Sequence, residues 1–267
     1  MTVTGITGYV GSLVGLILLR EGKYRVRGTV RSVTNAAKLD PIKNAYGEEL
    51  FGQLELVEAD LLENASMARA IAGSTHVCHV ASPFILEEPD DEMVLIRPAV
   101  DGTLSVLRAA QANGVHRVCM TSSLASVVSC NDENGHRPEV FNESHFSDPN
   151  FATIGKYEKS KTLAELAAWD FVEKQSQDGH KVEHSTICPG YIAGPTLIKT
   201  DFTSGKATKM FLENSFPGGI PRIQFSVVDV RDVAQAHVNS LERDEAQGKR
   251  FIVANESLWM REIGQIL

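Results

Sequence analysis

Met1-Thr2-Val3-Thr4-Gly5-Ile6-Thr7-Gly8-Tyr9-Val10-Gly11-Ser12-Leu13-Val14 opens the chain with a short β-branched run, three glycines three residues apart, and the start of an apolar helical pattern. Strand, glycine-spaced turn and helix in this order let a backbone approach a pyrophosphate closely and aim a helix N-terminus at its charge. The helix is expected from about Gly11 to Arg20, with Val10, Leu13, Val14 and Ile17 at helical spacing and Gly22 as its stop. Glycine runs of this kind also occur in turns that bind nothing, so this one gains weight only from the rest of the chain.

Short apolar, β-branched runs then alternate with longer helical patterns, the order of a doubly wound parallel α/β sheet of the Rossmann type. Strands are expected at Thr2 to Thr4, Tyr24 to Val30, Leu54 to Ala59, His76 to Ala81, Val118 to Thr121 and Val182 to Cys188. A long helix is expected from Met93 to Ala112, with Pro98 tolerated in its early turns, and another from about Tyr157 to Ser176. From Tyr191 to Gln224 the chain is rich in Gly, Pro and Thr and reads as irregular cover outside the sheet. The division expected is a dinucleotide-binding body over 1–190, with 225–242 packing back onto it, and a partial substrate lobe from 191–224 and 243–267.

Composition narrows the partners. The chain has 267 residues, 43% of them hydrophobic, and a formal charge of −8 from 34 acidic and 26 basic residues. That balance offers no general attraction to nucleic acid or anionic membrane, so any phosphate must be held locally. Cys78, Cys119, Cys130 and Cys188 lack Cys-x-x-Cys spacing, and three of them fall inside expected strands. Reduced core thiols and a cytoplasmic protein are expected. No metal site is expected: His76 and His79 flank Cys78 on a strand whose period of two turns His79 away from the others. The acidic run Glu87, Glu88, Asp90, Asp91, Glu92 reads as a solvated loop and helix start.

At the end of the second strand, where an adenosine ribose would lie, an acidic residue would favour a free 2′-hydroxyl. Here the residue is Arg31, with Lys38 beyond it, and two cations suit the 2′-phosphate of NADP. Asp60 and Leu61 end the third strand and Val80, Ala81, Ser82 and Pro83 the fourth, at the edge where the cofactor would continue.

Hydride delivery to a carbonyl leaves an alkoxide that needs a proton, and Tyr157 is the candidate acid. Lys161 lies one helical turn on, on the same face. At about 6 Å and an effective dielectric of about 20, its charge would favour the phenolate by about 2.8 kcal/mol, or about two pKa units. Ser122 and Ser123 end the fifth strand, and one of them is expected to hydrogen-bond the substrate oxygen.

These segments resemble the extended short-chain dehydrogenase/reductase family, the NAD-dependent epimerase/dehydratase superfamily, in its branch of dihydroflavonol, cinnamoyl-CoA and ketone or aldehyde reductases. The resemblance is carried by Thr4-Gly5-x-x-Gly8-x-x-Gly11, Thr29-Val30-Arg31, Thr121-Ser122-Ser123, Ser160-Lys161-Thr162-Leu163-Ala164-Glu165, Cys188-Pro189-Gly190 and Val228-Asp229-Val230-Arg231-Asp232-Val233-Ala234. It implies a catalytic set of Ser123, Tyr157 and Lys161 and NADPH as cofactor. It implies cofactor contacts from Gly5, Thr7, Gly8, Tyr9, Val10 and Gly11, from Arg31, Lys38, Asp60 and Leu61, and from Val80, Ala81, Ser82 and Pro83. Ser122, Tyr157, Lys161, Pro189, Gly190 and Ile192 complete that implied set. The substrate implied is a small carbonyl compound.

Plant dihydroflavonol reductases hold their flavonoid with an Asn five residues beyond the catalytic Ser; Val128 stands there in this chain and argues against that substrate. The cinnamoyl-CoA reductase motif is replaced by a run beginning Ile154-Gly155-Lys156-Tyr157, which argues against that one. The family continues through further helices beyond the position of Leu267, so a truncated substrate lobe is expected. The competing functional readings are a sugar-nucleotide epimerase or dehydratase, a hydroxysteroid dehydrogenase, and a catalytically silent NADP-binding regulator. The oligomeric state is not legible.

Overall fold

The computed structural model describes residues 1–82, 89–131, 136–175, 179–198, 203–213, 215–216 and 218–267. Pro83, and Glu87 and Glu88 of the acidic run, lie outside the described residues.

The elements run β1 (Thr2–Thr4), α1 (Tyr9–Glu21), β2 (Val26–Val30), α2 (Ala36–Gly52), β3 (Leu54–Glu58), α3 (Asn64–Ile71), β4 (His76–His79), α4 (Met93–Ala112), β5 (Arg117–Thr121), α5 (Lys156–Glu173), β6 (Glu183–Pro189), β7 (Tyr191–Ala193), α6 (Thr203–Leu212), β8 (Gln224–Asp229), α7 (Val230–Glu242), β9 (Arg250–Val253), β10 (Glu256–Trp259) and α8 (Met260–Ile266). The main sheet is seven-stranded and parallel, in the order β3-β2-β1-β4-β5-β6-β9. Strand order reverses between β1 and β4, and in open α/β sheets ligands bind at that switch, beyond the carboxyl ends of the strands.

Both faces of the sheet are covered, as a parallel sheet requires. Successive strand side chains point to opposite faces. Cys78 and Cys119 enter the core built with Leu13, Leu16, Val233 and Leu241 of α1 and α7. Val77, Val118 and Met120 enter the second core, with Val106 and Leu107 of α4 and Ala164 and Ala168 of α5. All four cysteines are free and buried. Helix α1 begins at Tyr9, two residues before the expected start, because Gly8 already stands extended as its cap; Gly22, at φ 66°, ends it by donating its N–H to Leu18 O.

Three expectations need correction. The span from Tyr191 to Gln224 is not irregular throughout, since it holds β7, α6 and the start of β8. Strand β7 is three residues long and its partner β8 comes more than 30 residues later, so no local period announces it. Residues 225–242 do not act as one piece: β8 joins a second sheet, β10-β8-β7, while α7 packs on α1 and the main sheet. Arg250–Val253, assigned from sequence to the substrate lobe, is the edge strand of the main sheet beside β6. Among the described residues no helix is long and apolar enough to cross a membrane, and no group of three His, Cys, Asp or Glu side chains is placed to hold a metal ion.

Candidate active site

The glycine turn is tight for reasons of packing. Gly5 sits at φ +69°, and a Cβ there would lie 3.0 Å from Ala81. A Cβ on Gly11 would stand 2.3 Å from Gly5 O, so only glycine lets α1 begin against the turn. The Gly5 N–H donates to Thr29 Oγ1 at 3.1 Å, tying the turn to β2. Gly8 supplies no side-chain cap to α1, whose N-terminus is the positive end of the helix dipole and faces the glycine turn. Thr7 and Gly8 are half-buried, whereas the Val10 side chain belongs to the core.

Thr4 fastens the switch point. Its Oγ1 accepts the Val80 and Ala81 N–H groups at 3.1 and 3.0 Å, so its own hydrogen points to His79 Nδ1, 2.9 Å away. Burial lowers the His79 pKa to about 3, helped by the Lys161 charge, and the ring is a neutral acceptor.

At the β2 exit, Arg31 and Lys38 are exposed and form no ion pair among the described residues. The Val33 N–H donates to Glu58 Oε1 at 2.9 Å, shaping the turn between them. Asp60 is exposed, and its Oδ1 accepts the Leu62 N–H at 2.9 Å. Leu61, Ala81 and Ser82 line one small cleft with Thr121 and Lys161. Pro189 ends β6, and a Cβ on Gly190 would fall 2.0 Å from Ser226 O, a backbone contact between the two sheets.

Ser123 and Tyr157 are neighbours, close enough for the serine hydroxyl to favour the tyrosinate. Ser123 stands at the head of a 3-10 turn, Leu124–Ser126, where its Oγ also accepts the Ala125 N–H at 3.1 Å. Tyr157 is 43% exposed, yet protein crowds its other side. Desolvation pushes its pKa above 10, and the neighbouring Ser123 hydroxyl opposes that rise. Lys161 is buried and donates from Nζ to Thr121 O at 3.2 Å; burial lowers its pKa and the nearby Glu165 works against the loss of charge. The expected two-unit depression of Tyr157 by Lys161 is therefore overturned for the protein alone. The ammonium is turned to a carbonyl, and desolvation of the phenol prevails.

His237 fixes Thr121 in turn. Its Nδ1 is 2.7 Å from Val233 O, which can only accept, so Nδ1 carries the proton and Nε2 accepts from Thr121 Oγ1 at 2.7 Å.

Ser122 requires a second correction. Its side chain is 3% exposed and donates to Glu165 Oε2 at 2.5 Å, so its hydroxyl faces the interior. Tyr9 and Ile192 face a different space from the Ser123–Tyr157 pair: a cavity of about 750 Å³ between β7, α6 and α8. Tyr9 Oη crosses to Gly194 O at 2.9 Å, joining the glycine turn to the second sheet. Sequence reasoning missed Arg250 and the role of Glu165, which form a buried ion pair at 2.6 Å. The signals present were an Arg opening an apolar run at Arg250–Val253 and a Glu four residues after Lys161.

The NAD dependent epimerase/dehydratase family model matches residues 1–254. A cinnamoyl-CoA reductase of Medicago truncatula is 35% identical over 254 residues, covering 94% of this chain and 74% of its own. An anthocyanidin reductase of Vitis vinifera is 35% identical over 280 residues, covering 99% and 79%. Among solved structures, yeast methylglyoxal/isovaleraldehyde reductase complexed with NADPH superposes with a TM-score of 0.83 at 27% identity, over 98% of this chain and 79% of that one. With this match along nearly the whole chain, the protein belongs to the NAD dependent epimerase/dehydratase family, the extended short-chain dehydrogenases/reductases, in the branch that contains the dihydroflavonol reductase-like enzymes.

Proposed function

We propose that the chain uses NADPH to reduce a ketone or aldehyde to an alcohol, with Ser123, Tyr157 and Lys161 as its catalytic residues. The observation that carries this reading is the meeting of Ser123 with Tyr157 at the carboxyl edge of the sheet, where the helix that carries Tyr157 also brings Lys161 to Thr121. The donor set fits the cofactor: the glycine turn and the N-terminus of α1 for the pyrophosphate, and exposed Arg31 and Lys38 for a 2′-phosphate. NADPH, when bound, supplies the hydride. Leu61, Ala81 and Ser82 would flank its ribose side, with Pro189 and Gly190 toward the nicotinamide. The large sheet body then serves the cofactor, and the substrate lies toward the small sheet.

The chain's own residues handle the oxygen and the proton. The Ser123 hydroxyl holds the carbonyl oxygen in place. Tyr157, with its pKa raised, is a neutral phenol at pH 7 and gives its proton to that oxygen as the C–H bond forms. Lys161, held at Thr121 O in the protein alone, is the cation on the same helix that would offset the tyrosinate once cofactor and substrate fill the site. The test is NADPH oxidation across a panel of small aldehydes and ketones. Tyr157→Phe is expected to cut kcat by at least about 100-fold while NADPH still binds; undiminished turnover in that variant sinks the mechanism. The same assay with NADH checks the cofactor.

A further inference from the structure

We infer that Arg250 and Glu165 are positioning residues that hold Ser123 against Tyr157, an inference that rests on the catalytic reading above. Glu165 lies one turn beyond Lys161 on α5 and is wholly buried. Arg250 reaches it from β9, with Nε to Oε1 at 2.6 Å and one terminal nitrogen to Oε2 at 3.2 Å. The same Oε2 lies 2.5 Å from the hydroxyls of both Ser122 and Ser126. Those serines bracket Ser123-Leu124-Ala125, and Ser126 Oγ is also 2.7 Å from Ser123 O. The turn after the strand is thus held at both ends by one carboxylate that belongs to the helix carrying Tyr157.

The other side of the guanidinium holds a loop. It donates to Glu143 O at 2.9 Å and His145 O at 2.5 Å, and its carbon lies 3.7 Å over the Phe146 ring. Strand exit, catalytic helix and loop therefore meet at one ion pair.

Stability alone does not account for this arrangement, because replacing a buried ion pair by well-packed apolar side chains is often neutral or stabilising. Removing one partner is costly, since it strands a buried charge. What apolar packing cannot reproduce is the directional hold on Ser122 and Ser126. Displacement of a catalytic group by about 1 Å can cost about 100-fold in rate.

The test compares Ser126→Ala and the double variant Glu165→Met/Arg250→Met with the unaltered protein. Thermal melting and NADPH binding by fluorescence control for folding. Turnover is read on the panel of small aldehydes and ketones. The titration of Tyr157 is read with NADP⁺ bound, as the difference in tyrosinate absorbance between each protein and its Tyr157→Phe counterpart.

In the double variant kcat is expected to fall about 10- to 100-fold, with the KM for NADPH unchanged and a cooperative melt. Tyr157 should titrate at higher pH, because the Ser123 hydroxyl that favours its phenolate is no longer held beside it. Ser126→Ala, which leaves the ion pair in place and decides the matter if the double variant does not fold, should move both readouts in the same direction by smaller amounts. Wild-type kcat and Tyr157 titration in Ser126→Ala would overturn the inference, as would a double variant that regains full kcat together with its stability. If no carbonyl in the panel is turned over, the titration alone decides. Retained turnover in Tyr157→Phe would overturn the catalytic reading itself, whereas an inactive Tyr157→Phe beside fully active clamp variants would overturn only the clamp.

Discussion

Gly11 leaves the first turn of α1 no room, since any Cβ there meets the Gly5 carbonyl oxygen at 2.3 Å and both partners are backbone. Gly11→Ala should therefore push the helix off the turn, costing about 1–3 kcal/mol of stability in urea unfolding and weakening NADPH binding. At the other end of the proposed cofactor site, Arg31 and Lys38 act through charge. Arg31→Ala/Lys38→Ala should lower NADPH affinity about 10- to 100-fold and leave NADH affinity nearly unchanged, by fluorescence titration of both. An equal loss for the two nucleotides would refute a 2′-phosphate role. Tyr157 and Lys161 were legible as a pair because helical spacing is local. The direction of the Tyr157 pKa was not, because it depends on desolvation and on Ser123, 34 positions earlier in the chain.

Helix α7 joins the two sheets. Its cap, Asp229, ends β8 of the small sheet, and Asp229 Oδ1 accepts the Arg231 N–H at 2.8 Å. The body of the helix lies buried on the main sheet through Val233, Ala234, Val238 and Leu241. Asp229→Ala should cost about 1 kcal/mol, seen as a melting temperature lowered by about 2–4 °C; no change would mean that the cap contributes nothing. The contrast between elements comes from locality. The helices α1 and α4 and the first six strands carry dense apolar runs and could be outlined from the chain. Strands β7, β9 and β10 are three or four residues long, and these and β8 are defined by partners remote in sequence, so none was identified as a strand.

For the whole molecule, three buried histidines set the response to acid. Burial lowers His79 to about 3 and His184 and His237 to about 4, against an ordinary value of 6.5. Below pH 6.5 the unfolded chain binds protons that the folded chain refuses, so stability is complete above that pH and declines as pH falls toward 4. Each ring contributes about 1.4 kcal/mol per pH unit, so moving from pH 7 to pH 5 should remove about 6 kcal/mol in total. Urea unfolding at the two pH values checks this, and a loss under about 2 kcal/mol would contradict three neutral buried rings.

The sequence by itself determined the strand-turn-helix opening, the alternation that makes a parallel sheet, the reductase family and the Tyr157–Lys161 spacing, because each depends on residues within a few positions of one another. Only the tertiary structure decided that Ser122 faces inward, that β9 closes the main sheet, and that Arg250 meets Glu165 across 85 positions to hold the turn after Ser123. Those contacts form where distant segments are packed together, and burial then selects which charges can pair.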